Sequence, residues 1–200
     1  MNSKTGDPAA PTGPGPAQPR IPTQTITEVG LAVALAAVLH FFKIFEAPQG
    51  GSVSLEMLPL FFVAVRRGAG PGILAGALFG FLNLLLKPYV VTPVQFALDY
   101  PVAFGALGVA GWFVRRGPAG QARVSRLALV AGVVAGSALR FLAHLVSGVV
   151  FFAQYAPKGQ NVWAYSALYN GGHLVPELLI TAAVLWWLAG RRGLCGERER

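Results

Sequence analysis

The sequence predicts an all-α integral membrane protein of six transmembrane helices, with both termini cytoplasmic. Three observations predict it. Of the 200 residues, 54% are hydrophobic and only 12% are charged, whereas a soluble domain carries about 25% charged residues. Apolar runs fill most of the chain after Thr25 and divide into six segments, so the lipid bilayer is the solvent. The basic residues are also sorted. With six crossings, Lys4, Arg20, Arg66, Arg67, Arg115, Arg116, Arg123, Arg126, Arg191, Arg192, Arg198 and Arg200 fall on one side. Lys43, Lys87 and Lys158 fall on the other, and Arg140 lies inside a segment. An excess of Lys and Arg marks the cytoplasmic side. The same sorting accounts for the net charge of +8 by membrane topology, so no nucleic-acid partner is expected.

Residues 1–24 are rich in Pro, Gly and polar side chains and lack the apolar core of a signal peptide; they read as a disordered cytoplasmic tail. Residues 25–190 form the membrane domain. Segment one spans residues 25–45. In it Ala32 and Ala36 are four apart, and Gly30 with Ala34 makes a parallel row. Small residues at this spacing let another helix approach closely, which suits packing within the chain and docking of a partner subunit equally.

Segments two (residues 55–65) and three (residues 72–86) are shorter than the ~20 residues of a full span. Arg66-Arg67-Gly68 and Pro71 separate them, so they read as a hairpin. Segments four (94–114), five (127–152) and six (162–188) are long enough to cross. Residues 191–200 form a basic cytoplasmic tail with the single cysteine, Cys195, so no disulfide or cysteine metal site forms within one chain. The outer loops contain Pro48 to Ser52, Lys87-Pro88-Tyr89, and Tyr155 to Gln160. Their Gly and Pro content suits tight turns and lids.

Polar groups inside a span are costly, so each needs a reason. At 1.5 Å per residue, Asp99 lies ~8 Å, His144 ~12 Å, Tyr165 ~5 Å and Asn170 ~12 Å below the outer ends of their segments. Three helices thus place polar side chains in one outer layer, as a pocket requires. Tyr89, Tyr100, Tyr165, Phe79, Phe151 and Phe152 bring rings to that layer. A carboxylate beside aromatic faces suits an organic cation with a flat ring, since each cation–π contact contributes roughly 0.5–2 kcal/mol. Each residue taken singly also has a structural reading. Asp99 can satisfy a neighbouring donor, His144 a backbone carbonyl, and Tyr165 and the phenylalanines an interfacial belt. Asn170, before Gly171-Gly172, can cap a helix break.

Arg140 and Glu177 sit deeper, ~18 and ~22 Å from the outer ends. They read as an ion pair between segments five and six, although Arg140, four residues from His144, also shares a face with it. No phosphate-binding GxxxxGK[ST] loop occurs, so ATP hydrolysis by this chain is not expected. HExxH, GxSxG and CxxC are absent too. His40, His144 and His173 fall at different depths, which argues against a metal site. No metal or cofactor is expected.

Several stretches together resemble the thiamine-specific S component of energy-coupling-factor transporters. They are Pro48 through Ser54, Pro93-Val94-Gln95 leading to Leu98-Asp99-Tyr100, Arg140 through His144, Tyr155 through Gly159, and Tyr165 through Asn170. Each is weak alone, but their number, order and spacing are specific, and the resemblance covers about residues 25–188. It implies a multi-pass protein of the cell membrane that binds thiamine from outside. It also implies a transmembrane coupling subunit and two cytoplasmic ATPase subunits as partners. By the same resemblance, the substrate-contacting positions are Asp99, Tyr100, His144, Phe152, Tyr165 and Asn170, with Tyr89 and Phe79 lining the site. The small-residue face of segment one would dock the coupling subunit, and the first outer loop would be the substrate lid. Some relatives carry Glu at the position of Asp99 and Trp at that of Phe152. The rival readings are the same fold binding another vitamin or a thiamine precursor, a solitary ion-coupled carrier, and an intramembrane enzyme using His144 and Asp99.

Overall fold

Polar side-chain caps mark where three of the helices begin. In the computed structural model, which describes residues 21–47, 51–86, 88–116 and 122–189, α1 spans Thr23–His40, α2 Met57–Arg67 and α3 Ala69–Leu86. We label the fourth span α4 (Pro93–Phe113), and the last two helices α5 (Arg126–Phe151) and α6 (Val162–Ala189). Thr92 caps α4 by accepting the Gln95 N–H, with Pro93 in the first turn. Ser125 accepts the Ala128 N–H at the head of α5. Asn161 Oδ1 accepts the N–H groups of Trp163 and Ala164 at the head of α6. Gly68, at φ 106°, makes the turn between α2 and α3, so the predicted hairpin forms. The tails assigned to residues 1–24 and 191–200 lie outside the described residues except for residues 21–24; α1 begins at Thr23, inside the stretch assigned to the first tail.

Five helices, α1 and α3 to α6, are long and apolar enough to cross a membrane. The exception is α2. Its 11 residues rise only ~16 Å against a ~30 Å hydrocarbon core. The chain entering it makes up the difference. A short antiparallel hairpin, β1 (Phe45–Glu46) with β2 (Ser52–Val53), leads into Ser54 and Glu56, both buried. The first outer loop therefore descends into the protein, and this descent places its polar residues beneath the site.

Helices α3 and α4 pack backbone to backbone. Gly72, Gly76 and Gly80 recur every fourth residue on the inner face of α3. A Cβ at Gly76 would overlap the Phe104 carbonyl, and one at Gly108 would overlap the Ile73 backbone. Without a hydrophobic drive between helices in lipid, such close approach supplies the packing contacts. Behind it sits a core of Phe61, Phe79, Met57, Leu60 and Leu107.

The α1 expectation divides. Ala32 (6% exposed) and Ala36 (0%) are buried with Val29 and His40, so they pack within the chain and are not available to a partner. Gly30 and Ala34 are exposed beside Leu31, Leu35 and Val38. Described basic residues gather at one end as the topology predicted. Glu28 of α1 pairs with Arg66 at 3.2 Å and Arg67 at 2.6 Å, and Arg126 of α5 lies 5.3 Å from the Trp186 ring of α6.

Candidate substrate-binding site

α4 is not a regular helix where it carries Asp99. A wide π-type turn, Leu98–Val102, contains Pro101. Pro supplies no N–H to the helical ladder, and such one-residue insertions recur at functional sites. Gln95 and Asp99 are four apart, as are Tyr100 and Phe104. In an unbroken α-helix these two rows would diverge by about 100°. The inserted residue lets all four side chains line one cavity.

That cavity has a volume of about 160 Å³, far more than a single water needs. On one wall the Asp99 carboxyl group is held from three directions. Gln95 Nε2 donates to it at 2.7 Å, Ser147 Oγ donates at 2.8 Å, and His144 Nδ1 lies 3.0 Å away. A carboxylate only accepts, so His144 carries its proton on Nδ1 here and Nε2 remains for another partner. Ser147 and His144 are three apart on α5 and meet the carboxylate together. Asn170 of α6 donates to Ser166 O at 2.9 Å and to His144 O at 3.4 Å, tying α6 to α5. No helix break comes after it, because α6 runs on through Gly171 and Gly172.

Aromatic rings form the outer wall. Tyr89 stacks on Phe152 with centroids 5.7 Å apart, and its hydroxyl meets that of Tyr155 at 2.8 Å. That bond raises the Tyr89 phenol above its usual pKa, so Tyr89 stays neutral at physiological pH. Tyr165 and Tyr169 stack at 6.2 Å on α6. The hairpin of the first outer loop rests on this face: the Gly51 N–H donates to Tyr169 Oη at 3.1 Å. A Cβ at Gly51 would lie 2.5 Å from His173 Nδ1, so only glycine permits this contact. Pro48, Gln49 and Gly50, the rest of the predicted lid, lie outside the described residues.

The floor is charged. Arg140 reaches Glu56 at 3.3 Å and Glu177 at 3.4 Å, and Glu56 reaches His40 Nδ1 at 2.7 Å. The Arg140 guanidinium also covers the Phe104 ring at 4.2 Å. The predicted Arg140–Glu177 pair is present, but it belongs to a larger network that the first outer loop and α1 complete.

Of the predicted site residues, Asp99, Tyr100, His144, Phe152, Tyr165, Asn170 and Tyr89 line the cavity. Phe79 does not. It is fully buried one turn deeper, edge-on to Phe104 at 4.8 Å. The three histidines, read from sequence at different depths, all line this one cavity, with His40 in the floor beside Glu56 and His144 on the wall beside Asp99. Even so, no group of three His, Cys, Asp or Glu that could hold a metal occurs among the described residues. Sequence reasoning missed Gln95, Ser147, Tyr169 and His173. Helical arithmetic finds them, since Gln95 is four before Asp99, Ser147 three after His144, and Tyr169 and His173 four and eight after Tyr165.

The thiamine transporter protein family (Thia_YuaJ) matches residues 26–193. The chain is 38% identical to the thiamine transporter ThiT of Bacillus subtilis over 167 residues, which cover 80% of this chain and 87% of that one. It is 31% identical to the thiamine transporter ThiT of Lacticaseibacillus paracasei over 168 residues, 80% of this chain and 84% of that one. Among solved structures, ThiT from Listeria monocytogenes superposes with a TM-score of 0.72 at 24% identity, covering 86% of this chain and 96% of that one; this likeness speaks to the fold. The spanning helices and this kinship make the protein a multi-pass protein of the cell membrane. The chain belongs to the thiamine transporter protein family.

Proposed function

We propose that the chain is the thiamine-binding S component of an energy-coupling-factor importer. It captures thiamine from outside in this cavity, the first outer loop closes over it, and partner ATPases drive reorientation through a coupling subunit. The observation that carries the reading is the electrostatic asymmetry of the cavity. Its lining includes the carboxyl groups of Asp99 and Glu56. Arg140, its one Arg among the described residues, is already engaged by Glu56 and Glu177. A site whose Asp99 carboxyl group has no Lys or Arg partner among the described residues, walled by Tyr89, Phe152 and Tyr165, suits a permanently cationic thiazolium joined to a flat aminopyrimidine. Asp99 answers the charge or the aminopyrimidine, Phe152 and His144 stack, and Tyr165 and Asn170 hydrogen-bond. Docking of the coupling subunit falls to the exposed Gly30 and Ala34 row of α1.

Calorimetric titration of the detergent-purified chain, without partners, tests the reading. Thiamine is expected to bind one to one and riboflavin not at all. Thiamine phosphates are expected to bind no tighter than thiamine, because Arg140, the one Arg or Lys that lines the cavity among the described residues, is paired with Glu56 and Glu177. A chain that binds riboflavin but not thiamine would overturn the assignment.

The lid carries a second expectation. Gly51→Ala pushes a methyl group into His173 and disturbs the bond to Tyr169. Losing one such hydrogen bond removes ~1 kcal/mol, so thiamine should dissociate about fivefold faster. Stopped-flow fluorescence would read this, and an unchanged off-rate would exclude the Gly51 contact as part of closure.

A further inference from the structure

We infer that Asn83 is a substrate-contacting residue that hydrogen-bonds an uncharged polar group of the bound molecule. The assignment rests on the thiamine-binding reading above and adds a specificity determinant to it. Asn83 is the sole polar side chain of α3, an 18-residue helix otherwise made of Gly, Ala, Pro and large apolar residues. It ends the inward stripe of Gly72, Ala75, Gly76, Phe79 and Gly80. Phe79, the residue expected at the site, packs in the core, and the side chain one turn further out reaches the cavity instead.

The position of Asn83 is fixed by backbone packing. Gly80, three residues before it, lies so close to α4 that a Cβ there would sit 2.6 Å from the carbonyl of Tyr100. Asn83 is only 8% exposed, and its exposure is to the cavity that Tyr89, Asp99 and Tyr100 also line. Its amide makes no hydrogen bond to any described residue. The other amides of the cavity have protein partners, although Asn170 commits only its Nδ2 and keeps Oδ1 for the ligand. Gln95 donates to Asp99 and Tyr89 and accepts from Val91, and Asn170 donates to Ser166 and His144. A nearly buried amide without a partner is unfavourable. A leucine would serve α3 better in a purely packing role. The missing hydrogen bonds are therefore made by the molecule that fills the cavity.

An amide both donates and accepts but carries no charge. It matches a hydroxyl or a ring amine, and it complements the carboxyl group of Asp99 on the neighbouring helix. Asp99 then serves the cationic part of the ligand and Asn83 a neutral polar handle. In thiamine the neutral handles are the hydroxyethyl group and the aminopyrimidine edge.

The test uses the full chain in detergent, as wild type, Asn83→Leu and Asn83→Ala. Each is titrated with thiamine, with an analogue lacking the side-chain hydroxyl, and with an analogue lacking the pyrimidine amino group. Both variants should bind thiamine about tenfold more weakly, the equivalent of one hydrogen bond made in a dry site. The penalty should fall below about threefold for the one analogue that lacks the group Asn83 contacts. The ligand-free melting temperature of Asn83→Leu should be no lower than that of wild type, because the substitution removes an unpaired buried amide. Unchanged thiamine affinity in both variants would overturn the assignment. A loss of equal size for all three ligands would overturn it as well, since it would mark a structural role or a water-filling one. A wild-type chain that binds no thiamine would instead defeat the underlying reading, and is a different result from a wild type that binds and variants that bind equally.

Discussion

Asp99→Asn is expected to weaken thiamine binding by about 10- to 100-fold. The substitution keeps the shape of the side chain and removes its charge. A hydrogen bond to a charged group contributes roughly 1.5–3 kcal/mol, which converts to this range. The local geometry adds a second loss. Gln95 and Ser147 both approach Oδ2, and His144 Nδ1 approaches Oδ1. An asparagine keeps its carbonyl for the first two only by turning its NH2 toward His144. His144 then has to accept at Nδ1, so its proton moves to Nε2 and the hydrogen-bonding character of the ring reverses. Charge and tautomer change together. Calorimetry on the variant, with the ligand-free melting temperature as a folding control, reads the effect; affinity within twofold of wild type would remove Asp99 from the site.

Arg140→Met is expected to destabilise the ligand-free chain by about 3–5 kcal/mol. Removing one partner of a buried ion pair strands the other charge, and this is where the penalty arises. Here Glu177 would lose its cationic partner and Glu56 would keep only His40, because Arg140 holds both carboxyl groups, and every side chain involved is at most 7% exposed. Methionine keeps most of the contact with Phe104, so the loss reports charge more than packing. Adding Glu177→Gln to Arg140→Met should recover part of the stability by removing the carboxyl group that Arg140 had held, although Glu177→Gln alone should destabilise. Thermal unfolding in detergent of the single and double variants measures this coupling. Additive effects would mean that Arg140 and Glu177 do not stabilise each other.

Much of the architecture was legible in the sequence because the membrane imposes one-dimensional rules. Apolar length gave the last helices nearly to their ends: residues 127–152 became Arg126–Phe151, and residues 162–188 became Val162–Ala189, whereas segment one, expected to reach Phe45, ends as a helix at His40. Charge sorting gave the topology. Depth counting brought Asp99, His144, Tyr165 and Asn170 to one layer, and they line one cavity. Those steps need only a rise per residue and the cost of burying polar groups, which the chain states locally.

Other features depended on rotation and long-range approach, which no local rule carries. Phe79 and Asn83 share a face of α3, and only the packing of Gly80 on Tyr100 decides which of them meets the cavity. Ala32 and Ala36 match Gly30 and Ala34 in spacing, yet the direction from which α2 and α3 pack buries the first pair and leaves the second exposed. The π-type turn at Pro101 shifts the helical frame by one residue, so counting at 3.6 per turn misplaces the side chains beyond it. Glu56 falls at the start of segment two by sequence, but α2 begins only at Met57, and the chain that enters it carries Glu56 inward to Arg140. By itself the sequence carried the family, the long apolar helices and the polar residues of one layer. The tertiary structure alone decided which side chains face the cavity and which charges meet beneath it, because those depend on helix rotation and on contacts between residues far apart in the chain.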